Sequence, residues 1–147
     1  MSAEQEQRSL TVEGGCLCGT LRYRASGRPS GITLCHCATC RRASGAPLVA
    51  WSAFPAAGFN FTRGVAARYA SSPGVERTFC GRCGTQLTYQ RWEAPDTVDL
   101  TLASLDDPEA VLPEDHTWTA SRLCWIKLSD GLPTYPRNRT ATASNQS

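Results

Sequence analysis

The chain has 147 residues, of which 41% are hydrophobic, and its formal net charge is +2 at pH 7. This length and composition fit one domain with a hydrophobic core, and the charge is too small to favour a nucleic-acid partner. No apolar stretch approaches the roughly 20 residues that cross a bilayer, and the polar start, MSAEQEQRSLTVEG, lacks the features of a secretory signal. We therefore expect a cytoplasmic protein without a membrane partner.

Short segments of alternating polar and apolar residues predict a mainly β protein. In TLRYRA, Leu21, Tyr23 and Ala25 fall on one face, as expected for a half-buried strand. Turn signals separate further predicted strands, which in chain order are PLVAWSAF, FNFT, ARYASS, VERTF, TQLTYQR and TVDLTLASL. In the first of these, Trp51 and Phe54 are expected in the aromatic core. The predicted strand pairing is mainly antiparallel.

Helices are predicted to be few and short. One covers residues 38–43, and another begins at Asp107, where the aspartate caps a proline at the first helical position. Both ends of the chain are polar and lack periodicity. We therefore expect a single domain over residues 9–137, with flexible termini over residues 1–8 and 138–147.

The eight cysteines are the most informative feature of the sequence. In a reducing cytoplasm they stay thiols, and a chain of this size does not need disulfides, so metal binding is the leading explanation. Seven of them fall in three clusters, GGCLCGT, CHCATC and FCGRCGT. The eighth, Cys124, lies beside Trp125 and Ile126, where we expect a buried and unreactive thiol.

The first and third clusters together can complete one tetrahedral zinc site. In FCGRCGT a glycine follows Cys80 and Cys83, so the backbone can curl and point its amides at the sulfurs. Zinc in a structural role takes four protein ligands, so this pair of cysteines needs two more. In GGCLCGT the spacing places Cys16 and Cys18 on the same side of an extended segment, which makes this cluster a natural partner.

This pairing leaves the cysteines of CHCATC, namely Cys35, Cys37 and Cys40, as a separate group. A zinc site with three protein ligands and an open fourth position is typical of catalysis. Spacing alone also allows Cys35 and Cys37 to join Cys80 and Cys83 at one ion. It equally allows another protein side chain to be the fourth ligand.

Two histidines and two arginines are candidates for the surroundings of the CHCATC group. His36 lies between two of its cysteines, and in extended chain its side chain points away from the metal, which favours a supporting role over ligation. His116 is a second possible ligand. Arg41 and Arg42 directly follow the third cysteine, where a guanidinium can hold a carboxylate of the substrate. The alternative is a solvated pair, or one that contacts acidic side chains.

In order and spacing, GGCLCGTLRYRASG, CHCATCRRASGAP, FCGRCGTQLTYQ, ASLDDP and HTW followed by KLSDGLP closely resemble the glutathione-dependent formaldehyde-activating enzyme family, which includes the centromere protein V relatives. The resemblance covers about residues 9–136. It implies a β-tent fold, in which small antiparallel sheets are organised around zinc, and two Zn²⁺ ions per chain. The ligands that it implies are Cys16, Cys18, Cys80 and Cys83 for a structural ion, and Cys35, Cys37 and Cys40 for a catalytic one.

The activity that the resemblance implies is that of a carbon–sulfur lyase, or of a synthase in the reverse direction. The substrate would be S-hydroxymethylglutathione or a similar small thiol–aldehyde adduct, with its sulfur at the open position of the three-cysteine zinc. The group that accepts the hydroxyl proton is left open, with a zinc-bound water and His36 as candidates. Two alternatives are a non-catalytic, zinc-stabilised interaction module and a thiol-based redox or zinc sensor.

Overall fold

The computed structural model describes residues 8–139, which form ten strands, one α-helix and three single-turn 3₁₀ helices. The strands are β1 (Leu10–Gly15), β2 (Arg22–Gly27), β3 (Ser30–Cys35), β4 (Val49–Pro55), β5 (Phe59–Arg63), β6 (Ala67–Ser72), β7 (Val75–Phe79), β8 (Gln86–Arg91), β9 (Thr97–Thr101) and β10 (Asp115–Thr117). The helix α1 covers Ala38–Ser44, and the 3₁₀ turns cover Ala56–Gly58, Leu102–Ser104 and Thr119–Ser121. The predicted mainly β class with short helices is confirmed.

The strands form two sheets. A three-stranded sheet has the order β1-β2-β5, and a seven-stranded sheet has the order β10-β3-β4-β9-β8-β7-β6. Neighbouring strands are antiparallel, as predicted, except that β10 runs parallel to β3. The larger sheet therefore places the end of β3, where CHCATC begins, beside the strand β4, which β9 and β8 follow in the sheet.

Three of the strands, β1, β3 and β10, have no counterpart among the predicted ones. The strand β1 ends in two glycines and β3 begins with Ser-Gly, and glycine weakens the composition signal of a strand. The strand β10 has only three residues, all buried, so it shows no alternation of polar and apolar positions. Pairing with neighbouring strands, rather than local pattern, determines these three.

The main hydrophobic core contains side chains from both sheets. Leu21, Tyr23 and Ala25 are each at most 1% exposed, which confirms the predicted buried face of TLRYRA. They share one apolar cluster with Leu100 of β9 and with Phe54 of β4, which lies in the core as predicted. Burial of side chains from the two sheets in a single cluster stabilises their contact.

A large loss of stability is expected when this core is opened at Leu100, which is fully buried. Leu100→Ala should lower the free energy of unfolding by about 2–5 kcal/mol, because it removes buried apolar area and leaves a cavity. Leu112→Ala is the matched control, since Leu112 is 65% exposed. Denaturant unfolding of both variants measures the difference; equal stabilities would place Leu100 outside the cooperative core.

C-terminal to α1, the described residues form only single helical turns. Asp107 begins a single turn, in which its side-chain Oδ1 accepts from the Glu109 amide at 3.2 Å and its carbonyl accepts from the Ala110 amide at 3.0 Å. No helix follows, because an aspartate side chain that bonds its own backbone two residues on favours a turn. None of the helices between residues 8 and 139 has the length and apolar character needed to span a membrane.

Two residues of the predicted C-terminal tail contact the fold. Asn138 Oδ1 accepts from the indole N–H of Trp118 at 3.3 Å, and the Arg139 guanidinium forms an ion pair with buried Asp115. Arg8, at the end of the predicted N-terminal segment, is exposed, and residues 1–7 and 140–147 lie outside the described residues.

Candidate metal centres and the adjoining cavity

The structure brings four cysteines from two distant hairpins together. The sulfur atoms of Cys16, Cys18, Cys80 and Cys83 all lie within 4.8 Å of one another. The Cys16 and Cys18 sulfurs are 3.6 Å apart, and those of Cys18 and Cys80 are 3.8 Å apart. Four sulfurs at 2.3 Å from a tetrahedral zinc ion would be separated by about 3.8 Å, so this group fits such an ion.

Backbone amides point at the sulfurs of this group, as the glycine-rich sequence predicts. The Leu21 amide donates to Cys16 Sγ at 3.2 Å, and the amides of Arg82 and Cys83 each donate to Cys80 Sγ at 3.3 Å. Such bonds stabilise a sulfur that carries negative charge. They make the loops suited to hold thiolates, which is the form in which cysteine binds a metal.

Two threonines act on the more exposed pair of sulfurs. The Thr20 side chain lies 3.1 Å from Cys18 Sγ, and the Thr85 hydroxyl lies 3.3 Å from Cys83 Sγ. Hydrogen bonding to Thr85 lowers the pKa of Cys83 to about 5, and hydrogen bonding to Thr20 lowers the pKa of Cys18. At neutral pH Cys83 is therefore in the thiolate form that binds a cation.

The second group contains the three cysteines of CHCATC. Cys35 ends β3, Cys37 is the N-cap of α1, and Cys40 lies in the first turn of that helix. Their sulfur atoms lie within 4.8 Å of one another, and no histidine, aspartate or glutamate from residues 8–139 joins them. Cys80 and Cys83 belong to the other group, so the alternative partition that spacing allowed does not occur.

Helix capping positions this group. The Cys37 sulfur accepts a hydrogen bond from the Cys40 amide at 3.3 Å, and Cys37 has extended dihedral angles, as an N-cap residue does. Hydrogen bonds from Cys35 and Cys40 lower the pKa of Cys37 far below its usual value, whereas the hydrogen bond to Cys37 raises the pKa of Cys35. One thiolate is thus favoured before any metal binds.

His36 is not part of the three-sulfur group. It is fully buried, and its Nε2 lies 2.9 Å from His116 Nδ1. His116 Nε2 in turn lies 2.8 Å from a carboxylate oxygen of Asp130. Because that carboxylate accepts, His116 donates from Nε2, and its Nδ1 then accepts from His36. The two histidines therefore connect the CHCATC loop to β10 and to the Asp130 loop, and neither belongs to a cysteine group.

A cavity of about 740 Å³ adjoins the CHCATC group. Its wall includes all three of these cysteines and the aromatic side chains Trp51, Tyr89 and Trp118. Trp51 is 5% exposed, but it lies in a small cluster with the cysteines rather than in the main core where it was predicted. A cavity of this size, lined by aromatic rings together with charged and hydroxyl side chains, can hold a small polar molecule.

The floor of the cavity is one face of the seven-stranded sheet. Arg77 on β7 is the cross-strand neighbour of Tyr89 on β8, and Tyr89 is the neighbour of Asp99 on β9. Directly opposite residues share a face, so the three side chains form a row across the sheet, and all three line the cavity. At about 4.8 Å per strand, the backbones of Arg77 and Asp99 are roughly 10 Å apart.

Residues 11–121 match the model of a protein family described as glutathione-dependent formaldehyde-activating enzyme. The chain belongs to this family. The matched segment lies within the predicted domain of residues 9–137, and it includes both cysteine groups. With this match, the fold class that the resemblance implied is confirmed.

Two individual proteins extend the comparison. A Schizosaccharomyces pombe protein described as an uncharacterized lyase is 36% identical over 77 residues, which are 52% of this chain and 56% of that protein. The chain thus matches little more than half the length of this curated relative. A crystal structure of a Rhodobacter sphaeroides protein from structural genomics superposes with a TM-score of 0.55 at 23% identity, over 69% of this chain and 91% of the other. At that identity the likeness concerns the fold.

The arginines predicted from their position directly after Cys40 do not line the cysteine cavity. Arg41 and Arg42 lie on α1, and Arg42 is exposed and faces a second cavity of about 640 Å³ on the other side of Arg77. The arginine that does lie beside the cysteines is Arg77, which sequence reasoning missed. The sequence did contain a signal for it. In VERTF, Val75, Arg77 and Phe79 are two residues apart and so share one face of the strand, where a charged residue between two apolar ones is unusual.

The structure also places the HTW segment and Cys124. Thr117 and Trp118 of the HTW segment line the cavity, and Trp118 has a positive φ of 57°. An aromatic residue in this backbone region is uncommon and is associated with functional sites. Cys124, predicted to be buried, is exposed, because it lies in a turn rather than in a strand.

Proposed function

We propose that the chain is a zinc-dependent carbon–sulfur lyase, or the corresponding synthase, that acts on S-hydroxymethylglutathione or a similar small thiol–aldehyde adduct. The observation that carries this proposal is the group of three cysteine sulfurs in the wall of a cavity, without a fourth ligand among the described residues. The family description supports glutathione and formaldehyde as the reactants. The description of the yeast relative as a lyase supports the reaction class.

The donor sets fit zinc. Soft thiolate ligands in groups of four and three suit this ion in a structural and a catalytic role, respectively. We assign the structural ion to Cys16, Cys18, Cys80 and Cys83, and the catalytic ion to Cys35, Cys37 and Cys40. When bound at the second group, zinc supplies a Lewis acid that stabilises the thiolate of the substrate.

Residues of the chain itself orient the adduct and exclude water. Trp51, Tyr89 and Trp118 offer apolar surface beside the cysteines, which suits the methylene and peptide parts of a small thiol. Removal of water from this wall strengthens electrostatic interactions with the reacting sulfur. The aromatic rings and α1 therefore define where the adduct lies.

Asp99 is the proposed proton acceptor. It is the carboxylate that the described residues contribute to the cavity wall, whereas His36 is bonded to His116. During cleavage, the adduct hydroxyl gives its proton to the Asp99 carboxylate, the carbon–sulfur bond breaks, and the products are formaldehyde and the thiolate. During synthesis, the protonated carboxyl returns that proton to the oxygen.

The pH dependence of adduct cleavage tests Asp99. Burial raises the pKa of Asp99 to about 6, with Arg91 opposing the effect. Below that pH the carboxyl is protonated and cannot accept, so cleavage is expected to slow as the pH falls through 6. Asp99→Asn should lower kcat by about 10²- to 10⁴-fold and remove this acid limb. Glu109→Gln is the control, because Glu109 is exposed and does not line the cavity, and this variant should keep the limb. An unchanged pH profile in zinc-loaded Asp99→Asn would rule out this role.

Exchange spectroscopy by ¹³C NMR tests the activity itself. With glutathione and ¹³C-formaldehyde at equilibrium, the zinc-loaded protein should accelerate exchange between hydrated formaldehyde and S-hydroxymethylglutathione above the rate in buffer. The Cys37→Ser variant is the control for acceleration that comes from the protein surface in general and not from the CHCATC group. Absence of acceleration with the wild type would contradict the proposal, and it is the result that an interaction module or a thiol sensor predicts.

A further inference from the structure

Arg77 is a buried cation in the wall of the cysteine cavity. It is 4% exposed, and its side chain separates the cavity of the CHCATC group from the second cavity. A charged side chain is rarely buried to this extent unless a partner compensates the charge. Its surroundings therefore indicate what it binds.

Contacts on three sides hold the guanidinium in place. Nε donates to the Ser71 hydroxyl at 2.9 Å, and Nη2 lies 3.8 Å from Cys40 Sγ. The guanidinium carbon is 5.0 Å from the ring centroid of Tyr89 and 5.9 Å from that of Trp51. The aromatic contacts favour a cation, but they cannot accept its N–H groups as a carboxylate does.

One nitrogen, Nη1, is buried and has no hydrogen-bond partner in the described part of the chain. No carboxylate from residues 8–139 forms an ion pair with Arg77. Arg91 and Arg139 also line the cavity, but each has an acidic partner, Glu93 and Asp115, respectively. Arg77 thus differs from these two in having a buried N–H group that no described residue satisfies.

We propose that Arg77 Nη1 binds a carboxylate of the substrate, so that the cavity selects thiols that carry an acid group. This inference rests on the proposed function and specifies its substrate class. A planar guanidinium beside two aromatic rings presents its edge, which matches a planar carboxylate. A carboxylate oxygen at about 2.9 Å from Nη1 would lie within about 9 Å of the Cys40 sulfur, so one small molecule can reach both groups.

Binding of two non-reactive probes tests this assignment. S-methylglutathione keeps both carboxylates, and its diethyl ester has none, so calorimetry with the zinc-loaded protein compares an acid with its ester. We expect wild type to bind the acid more tightly, and Arg77→Gln to weaken acid binding by about 10- to 100-fold while ester binding is unchanged. Arg68→Gln is the matched control, because Arg68 lies on the neighbouring strand β6 and pairs with Glu76 outside the cavity.

Each result supports or overturns the role of Arg77. Equal loss of acid and ester binding in Arg77→Gln would make the residue structural, and failure of wild type to bind the acid would overturn the proposal outright. If Arg77→Gln lacks zinc or does not fold, Arg77→Lys is used instead, because lysine keeps the buried charge. This variant should show a smaller loss of binding, again for the acid and not for the ester. Binding of the probes does not require turnover. If acid binding depends on Arg77 but the protein does not accelerate exchange in the NMR assay, the proposed function is rejected and the role of Arg77 in binding is kept.

Discussion

Cys83→Ser is expected to lose one zinc ion and with it the stable fold. The four-cysteine group links the hairpin after β1 to the loop between β7 and β8, far apart in sequence. Structural zinc contributes about 10–16 kcal/mol in small zinc domains, which matches or exceeds the usual total stability of about 5–15 kcal/mol. Thermal unfolding and zinc analysis measure the loss.

Cys124→Ser is the control for this experiment, because Cys124 is exposed and belongs to neither cysteine group. It should keep both zinc ions and the unfolding midpoint of the wild type. A Cys83→Ser protein with two zinc ions and an unchanged midpoint would show that the four-cysteine group does not hold the fold together.

Cys37→Ser is expected to fold normally and to lose activity. Serine is a good N-cap residue, so its hydroxyl can replace the sulfur as acceptor for the Cys40 amide while the metal ligand is lost. Adduct exchange should fall by about 100-fold or more, since metal stabilisation of the reacting thiolate is worth several kcal/mol. The NMR exchange assay and the unfolding midpoint together measure the two effects.

Cys37→Ala separates capping from chemistry. It should be as inactive as Cys37→Ser but less stable by about 1 kcal/mol, because alanine cannot accept the helix amide. Activity in Cys37→Ser close to that of the wild type would mean that the CHCATC group is not the reaction centre.

Local patterns predicted the parts of the fold whose burial repeats at a fixed period. The alternation of Leu21, Tyr23 and Ala25 is one example. ARYASS and VERTF match β6 and β7 residue for residue because turn signals mark their ends, although burial along these two strands does not alternate regularly. The separation of the cysteines into groups of four and three was allowed by spacing, but only the family resemblance selected it. The local sequence indicates which cysteines bind a metal, whereas the grouping of these cysteines around one ion depends on how distant strands pair.

The cavity residues show what the sequence could not provide. Arg77, Tyr89 and Asp99 become neighbours through the register of β7, β8 and β9, and no local pattern encodes that register. Arg41 and Arg42 were predicted because they follow a ligand in sequence, yet the rotation of α1 takes their side chains away from the cysteine cavity. Proximity in the chain was a poor guide to proximity at the site.

X-ray absorption at the zinc edge tests the central claim, a closed four-cysteine centre and an open three-cysteine centre in one chain. The sample is wild-type protein purified without added metal and dialysed free of small thiols. Two zinc ions per chain with an average of about 3.5 sulfur ligands per ion, completed by a lighter atom, are the expected result. One zinc ion with four sulfur ligands, or two ions with four each, would contradict an open centre in the cavity.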